Sequence, residues 1–163
     1  MTLRFRGVPM DQEPARSLAG AMHDEIALIY DGLAIDGPEM PKGGPDELGP
    51  PRGVFLVGYD EGGAPVCCGG IKGLGDGACE IKRMYVVPAA RGSGRARELL
   101  VALEDAARGL GHQVVRLDTG PRQPQAERLY RSAGYSPIAN FNRNPMATFF
   151  GEKRLSPGSA PRG

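Results

Sequence analysis

The chain has no tryptophan, only two histidines and three cysteines, and almost no net charge, its 20 Lys and Arg standing against 19 Asp and Glu. Each shortage removes a class of explanation. A formal charge of +1 gives no overall field to hold a polyanion or an anionic membrane, and the basic residues lack the interleaved aromatics of a base-stacking surface. Neither nucleic acid nor membrane is expected as a partner. Cys67, Cys68 and Cys79 are odd in number, two are adjacent, and none has the spacing of a zinc site or a disulfide framework, which suits a reducing cytoplasm. His23 and His112 stand alone without a matching Cys or carboxylate pattern, so no metal is expected. No apolar run follows the early charges, and no window approaches the roughly 18 to 20 apolar residues that span a bilayer. The chain reads as soluble, unsecreted and cytoplasmic.

What is present is glycine and proline, 25 and 15 of 163 residues, in a chain otherwise of ordinary globular make-up with 40% hydrophobic and 24% charged residues. That length fits a single domain over 1–155 with a real core. Residues 3–6 alternate as a strand, and from 14 to about 33 Leu18, Met22, Ile26, Ile29 and Leu33 recur at helical spacing. Residues 36–53 then hold five Gly and five Pro, which neither propagate a helix nor complete a ladder, and so predict a long mobile loop. Strands follow at 54–59, 65–71 and 78–87, separated by turns at 60–63 and 73–77. From 92 to 109 Ala96, Leu99, Leu100, Leu103, Ala106 and Ala107 trace one face of a helix. Gly111 stops it and 114–117 resumes a strand, giving a right-handed strand-helix-strand unit with parallel neighbours. Pro124 opens a further helix carrying Ala126, Leu129, Tyr130 and Ala133, which Gly134 ends. Residues 135–139 and 147–155 read as closing strands, and 156–163 as a disordered tail.

The chemistry concentrates where the third of these consecutive strands runs into a helix, at Tyr85-Val86-Val87-Pro88-Ala89-Ala90-Arg91-Gly92-Ser93-Gly94-Arg95-Ala96. Val86 and Val87 favour a strand, Pro88 ends it, and the glycines let consecutive backbone N–H groups face an anion at the positive end of the helix. The ligand is expected to carry phosphate, with Arg91, Arg95 and Arg97 as a local basic cluster. A dinucleotide fingerprint is the competing motif, since Gly92-Ser93-Gly94 opens a helix and Asp118 follows at a strand end. It fails in detail, because Arg97 stands at the third glycine position and three strands in a row precede the loop.

The segment Arg91 to Ala96, with Glu80-Ile81-Lys82-Arg83-Met84-Tyr85-Val86 before it, Leu117-Asp118-Thr119-Gly120 after the helix and an A-x-x-L-Y-x-x-x-G-Y block ending at Tyr135, resembles the GCN5-related N-acetyltransferase superfamily. That superfamily carries R/Q-x-x-G-x-G/A at the start of a helix. The resemblance covers about 54–155 and implies an α/β fold of mixed α+β type: a central, mostly antiparallel twisted sheet with one splayed parallel strand pair, flanked by helices. It implies acetyl-coenzyme A as donor, its pyrophosphate held by the N–H groups of Arg91, Gly92, Ser93, Gly94, Arg95 and Ala96. The pantetheine arm would pair with the main chain of Tyr85, Val86 and Val87. The acceptor would be an amine of a small molecule or peptide, acetylated directly in a ternary complex, and a homodimer stays open.

An amine with a pKa near 10 must lose a proton before it attacks, so a base is required. Glu80 lies eleven residues before Arg91, the spacing at which the histone-acetylating branch of the superfamily places its general-base glutamate. Glu80 would share a strand face with Lys82, Met84 and Val86 if no bulge intervenes. Tyr130 stands in the L-Y of the superfamily block, where the phenol commonly points at the coenzyme A sulfur, and is the candidate general acid. Gln123 lies where relatives often have an asparagine. A surface Glu80, a core Tyr130 and a non-catalytic acyl-coenzyme A binding domain are the alternatives the sequence leaves open. The Cys67-Cys68 pair alternates across a strand and has no partnered base, which disfavours an acyl-cysteine route.

Overall fold

A computed structural model describes residues 2–157. Its elements run β1 (Arg4–Gly7), α1 (Ala15–Ile29), β2 (Val54–Tyr59), β3 (Pro65–Gly75), β4 (Ala78–Val86), α2 (Arg95–Gly109), β5 (Val114–Thr119), α3 (Pro124–Ser132), β6 (Ser136–Pro137) and β7 (Phe149–Arg154), with a 3₁₀ turn at Pro88–Ala90. The strands form one seven-stranded sheet in the order β1-β2-β3-β4-β5-β7-β6. Every neighbouring pair is antiparallel except β4 with β5. That parallel pair is short: Ala78, Cys79 and Glu80 face Val114, Val115 and Arg116, and beyond them the strands part. The expected mixed fold with a splayed parallel pair is the one the chain adopts.

Burial explains the layering. The apolar stripe of α2, Leu99, Leu100, Leu103 and Ala107, packs on Cys67, Ile71, Cys79, Ile81, Val115 and Leu117 of the sheet. Each fully buried leucine contributes about 1.5–3 kcal/mol of transfer free energy. The opposite face is covered by Ala15 and Leu18 of α1 together with Leu48, against Phe55, Val57 and Cys68. Leu48 comes from the Gly/Pro-rich loop and is only 1% exposed. That loop is therefore pinned to the core in its middle, not a free excursion. It is also tied near both ends, because the His23 ring faces Asp36 Oδ1 at 3.3 Å and the His112 ring faces the Arg52 carbonyl at 2.8 Å. The two isolated histidines thus hold the loop.

Several boundaries differ from the periodicity. Helix α1 ends at Ile29, short of Leu33, because Asp31 and Gly32 take positive φ of 55° and 92° and turn the chain away. β3 extends to Gly75, and β6 is reduced to two residues because β7 pairs with β5 along its whole length and with β6 only at Ser136 and Pro137. Of the predicted tail, 158–163 lie outside the described residues, while the Ser156 carbonyl accepts a 2.9 Å hydrogen bond from Arg108 Nε.

One irregularity places the site. Between β3 and β4 the register passes from Gly70 with Lys82 to Cys68 with Tyr85, two residues on one strand against three on the other. The extra residue is Arg83, at φ 62°. This β-bulge reverses the alternation. Glu80 and Lys82 therefore do not share a face with Met84 and Val86, which pack with the α2 core, while Tyr85 packs on the α1 side and Val87 touches both.

Candidate active site

Where β4 and β5 diverge, a groove of about 750 Å3 opens between α1, α2, α3 and the end of β4. Its walls include Tyr85, Val86, Arg91, Gly92, Gly94, Arg95 and Ala96, together with Met84 and Tyr130. Gly92 and Gly94 adopt φ of 88° and 80°, and a Cβ on either would project into open space. Glycine is thus needed for the backbone angle and to leave room for a ligand oxygen. Gly94 caps α2 without any side-chain hydrogen bond, and among the described residues the amides of Gly92, Ser93 and Gly94 meet no acceptor. Consecutive unmet N–H groups at a helix N-terminus are the donor set for a diphosphate. The chain's own residues therefore fit a nucleotide-type pyrophosphate at this turn.

The remaining expected contacts divide. Ser93 does not line the groove, and its Oγ donates to the Ala90 carbonyl at 3.3 Å. Both backbone groups of Val87 are already engaged within the chain, its N–H donating to the Val66 carbonyl at 2.9 Å and its carbonyl accepting from Ala90, also at 2.9 Å. Val86 remains on the open edge, where its carbonyl is met by Arg91 Nε at 2.8 Å. The Arg91 guanidinium also bonds Glu25 of α1 at 2.7 Å and lies over the Tyr85 ring at 5.6 Å. It straps the groove from one wall to the other.

A second, smaller cavity of about 170 Å3 adjoins the groove, and Met84, Gln123 and Tyr130 line both. The Tyr130 hydroxyl donates to Met84 Sδ at 3.7 Å, and burial, with a lesser push from the Asp118 charge, raises its pKa well above the usual phenol value. Tyr130 therefore keeps its proton. Gln123 is fixed by the Tyr30 hydroxyl, which donates to its Oε1 at 3.1 Å and itself accepts from the Arg122 N–H at 3.2 Å. Gly120 makes this possible, because a Cβ there would collide with the Tyr30 hydroxyl.

Glu80 is buried, 1% exposed, and does not line the cavity. Its Oε2 accepts from Lys82 Nζ at 3.3 Å and from Asn142 Nδ2 at 2.9 Å, while Oε1 is buried and meets no donor among the described residues. Burial raises its pKa, Lys82 opposes that, and the Asp118 charge adds to it. The carboxylate on the cavity wall is Asp118, whose Oδ2 accepts from Asn142 at 2.7 Å and Asn144 at 3.0 Å. Asn142 therefore bridges two carboxylates. Sequence reasoning missed Asn142 and Asn144, and used Asp118 only in the motif comparisons. The available signal was the alternation of asparagines at 140, 142 and 144 between two predicted strands.

The three cysteines lie in the core, and burial lifts the Cys67 thiol to about 11 and those of Cys68 and Cys79 to about 12. None is a nucleophile near neutral pH. Among the described residues no group of three metal-binding side chains converges, and no helix is long and apolar enough to cross a membrane.

Comparison with known proteins fits this geometry. The acetyltransferase (GNAT) family model matches residues 23–135. The chain belongs to the GNAT family. Members of this family take their acetyl group from acetyl-CoA. The chain is 35% identical over 101 residues to an uncharacterized N-acetyltransferase of Schizosaccharomyces pombe and 38% identical over 105 residues to a protein named IAA acetyltransferase from Azospirillum brasilense. These matches cover 61% and 62% of this chain, and the chain spans 62% and 67% of the lengths of those two relatives. A solved acyl-CoA N-acyltransferase fold from Klebsiella pneumoniae superposes with a TM-score of 0.74 at 28% identity, over 94% of this chain and 98% of that one. The Salmonella typhimurium protein yncA, solved with acetyl-CoA, superposes at 0.62 with 22% identity over 99% and 98% of the two chains and supports the same GNAT fold.

Proposed function

We propose that the protein is an acetyl-CoA-dependent N-acetyltransferase that transfers the acetyl group directly to an amine held in the smaller cavity. The observation that carries this is the meeting of two sites: a groove built to hold a diphosphate ends at Met84 and Tyr130, where the cavity for a second molecule begins. Acetyl-CoA supplies an activated carbonyl carbon and a thiolate leaving group. The amides of the 91–96 turn hold its pyrophosphate, and the open edge of β4 at Tyr85 and Val86 orients its amide-bearing arm. For that pairing Arg91 Nε must release the Val86 carbonyl.

Two proton movements fall to the chain. Asp118, on the cavity wall, receives the proton from the amine, and Glu80, whose pKa burial raises, is joined to it through the Asn142 amide. Glu80 thus supports Asp118 as the base through its charge and the shared Asn142 amide, not by touching the acceptor or taking its proton. On the other side the Tyr130 hydroxyl turns from Met84 Sδ and donates its proton to the departing sulfur. Burial that raises the phenol pKa also raises that of a thiol in the same groove, so the transfer remains matched. No cysteine intermediate is used.

The test is release of free thiol. Purified protein with acetyl-CoA should liberate thiol only when an amine is supplied, across a panel of amino acids, simple amines, polyamines, aminoglycosides and peptides. Saturable acetyl-CoA binding with no thiol from any amine would instead mark a non-catalytic acyl-CoA binding domain.

A further inference from the structure

Arg83 is the residue the acetyl-transfer reading leaves without a task. It sits in the β4 bulge at φ 62°, a backbone conformation unfavourable for an arginine, and lines both the acceptor cavity and a neighbouring pocket beneath the Gly/Pro-rich loop. Its hydrogen bond runs from Nε to the Gly43 carbonyl at 3.3 Å and packs one terminal nitrogen against Gly43, and among the described residues neither terminal nitrogen meets an acceptor. Asp36, Glu80 and Asp118 lie near enough to favour its charge, yet among the described residues none forms an ion pair with it. Burial disfavours that charge and the three carboxylates only partly offset it. Lys82 beside it is already paired with Glu80. Arg83 does not reach the acetyl-CoA groove, so that donor's phosphates are not its target.

The cavity around it is small, with apolar walls on the α1 and loop side and polar groups, among them Lys82, Thr119 and Asn144, elsewhere. Met22, Ile26, Leu33, Ile35 and Met40 form those walls. Its volume of about 170 Å3 is close to that of cavities that hold benzene, room for about six to nine non-hydrogen atoms. Three features therefore converge on one small molecule: a guanidinium whose terminal donors meet no acceptor among the described residues, a carboxylate at Asp118 for an ammonium, and apolar side chains between.

We propose that the acceptor is a small zwitterion, an α-amino acid with an apolar side chain, whose carboxylate is bound by Arg83 while its ammonium faces Asp118. This rests on the acetyl-transfer reading and narrows its acceptor. The planar guanidinium suits a carboxylate in two-point contact, and the positive φ aims it where an alternating strand residue would not point.

The test compares matched pairs. L-Leucine, L-methionine and L-valine are offered beside isopentylamine, 3-(methylthio)propylamine and isobutylamine, which lack only the carboxylate, and thiol release gives kcat/KM for each. The wild type should prefer the acids by at least about tenfold, the worth of one charge-assisted hydrogen bond. Arg83→Asn, a neutral residue that tolerates the left-handed backbone, should bring the ratio close to one, and Arg83→Lys should restore part of it. Calorimetric titration of N-acetyl-L-leucine, which keeps the carboxylate and has no ammonium, should show at least tenfold weaker binding to Arg83→Asn. Wild-type preference for the bare amines, an acid-to-amine ratio unchanged in Arg83→Asn, or turnover of other amines with none of the three acids would overturn the proposal while leaving acetyl transfer standing. Silence from every amine would overturn acetyl transfer and this proposal together.

Discussion

Replacing Tyr130 with Phe separates a catalytic phenol from a core tyrosine, because the structure assigns very different magnitudes to the two. The ring is 7% exposed and packs edge-on against Tyr135 at 6.1 Å between centroids, and phenylalanine preserves both. What is lost is one hydroxyl whose acceptor is the Met84 sulfur at 3.7 Å, a weak bond. Its removal should cost less than about 1 kcal/mol of stability, a fall in Tm of at most about 3 °C for a chain of this size. Acetyl-CoA affinity should hold within about twofold, since the pyrophosphate turn is untouched. A positioned general acid contributes about 10²–10⁴ in rate, so kcat should fall by at least 10², about 2.7 kcal/mol in the barrier. Steady-state thiol release gives kcat, calorimetry gives Kd, and thermal melting gives Tm. A variant that keeps its kcat, or that loses it only in proportion to lost fold, would refute the assignment.

Three further outcomes follow from other parts of the site. Because the charge on Glu80 supports Asp118 as base and burial lifts the Glu80 pKa above the ordinary 4.5, kcat/KM should fall as pH drops through that raised value, and Glu80→Gln should remove this acid limb while lowering kcat/KM by at least about tenfold; a pH–rate profile identical in the variant contradicts the role. Gly94→Ala places a Cβ in open space at φ 80°, so its cost is backbone strain of about 1–2 kcal/mol, and acetyl-CoA should bind at least about tenfold more weakly by calorimetry. Leu48→Ala removes a side chain that is 1% exposed and should destabilise the protein by about 2–5 kcal/mol in denaturant melts, with faster amide exchange across 36–53; unchanged exchange would show that Leu48 does not pin the loop.

Much of this architecture is local and so is written in local pattern. The stripe from Leu99 to Ala107 fixes α2, and Gly92 and Gly94 mark the anion turn because positive φ is a property of the residue itself. What escaped depends on partners distant in the chain. The Arg83 bulge arises from the pairing of β3 with β4, and nothing in Lys82-Arg83-Met84 announces a left-handed arginine. The bridge from Asn142 to Glu80 and Asp118 joins residues 62 and 24 positions apart, across a segment without periodicity. Leu48 is one apolar residue among glycines and prolines, so its burial could not be distinguished from a loop side chain in water. Gly32 did carry a stop signal for α1, which the helical spacing of Leu33 outweighed.

The central claim is that main-chain amides of the turn after β4 hold the donor's diphosphate while the strand edge before it carries the arm. Titration of ¹⁵N-labelled protein with acetyl-CoA, followed by amide chemical shifts, tests this directly. The amides of Gly92, Gly94, Arg95 and Ala96 should move together with Val86 and saturate at a single dissociation constant. If acetyl-CoA binds and those amides stay where they are while others shift, the donor sits elsewhere and the account is wrong.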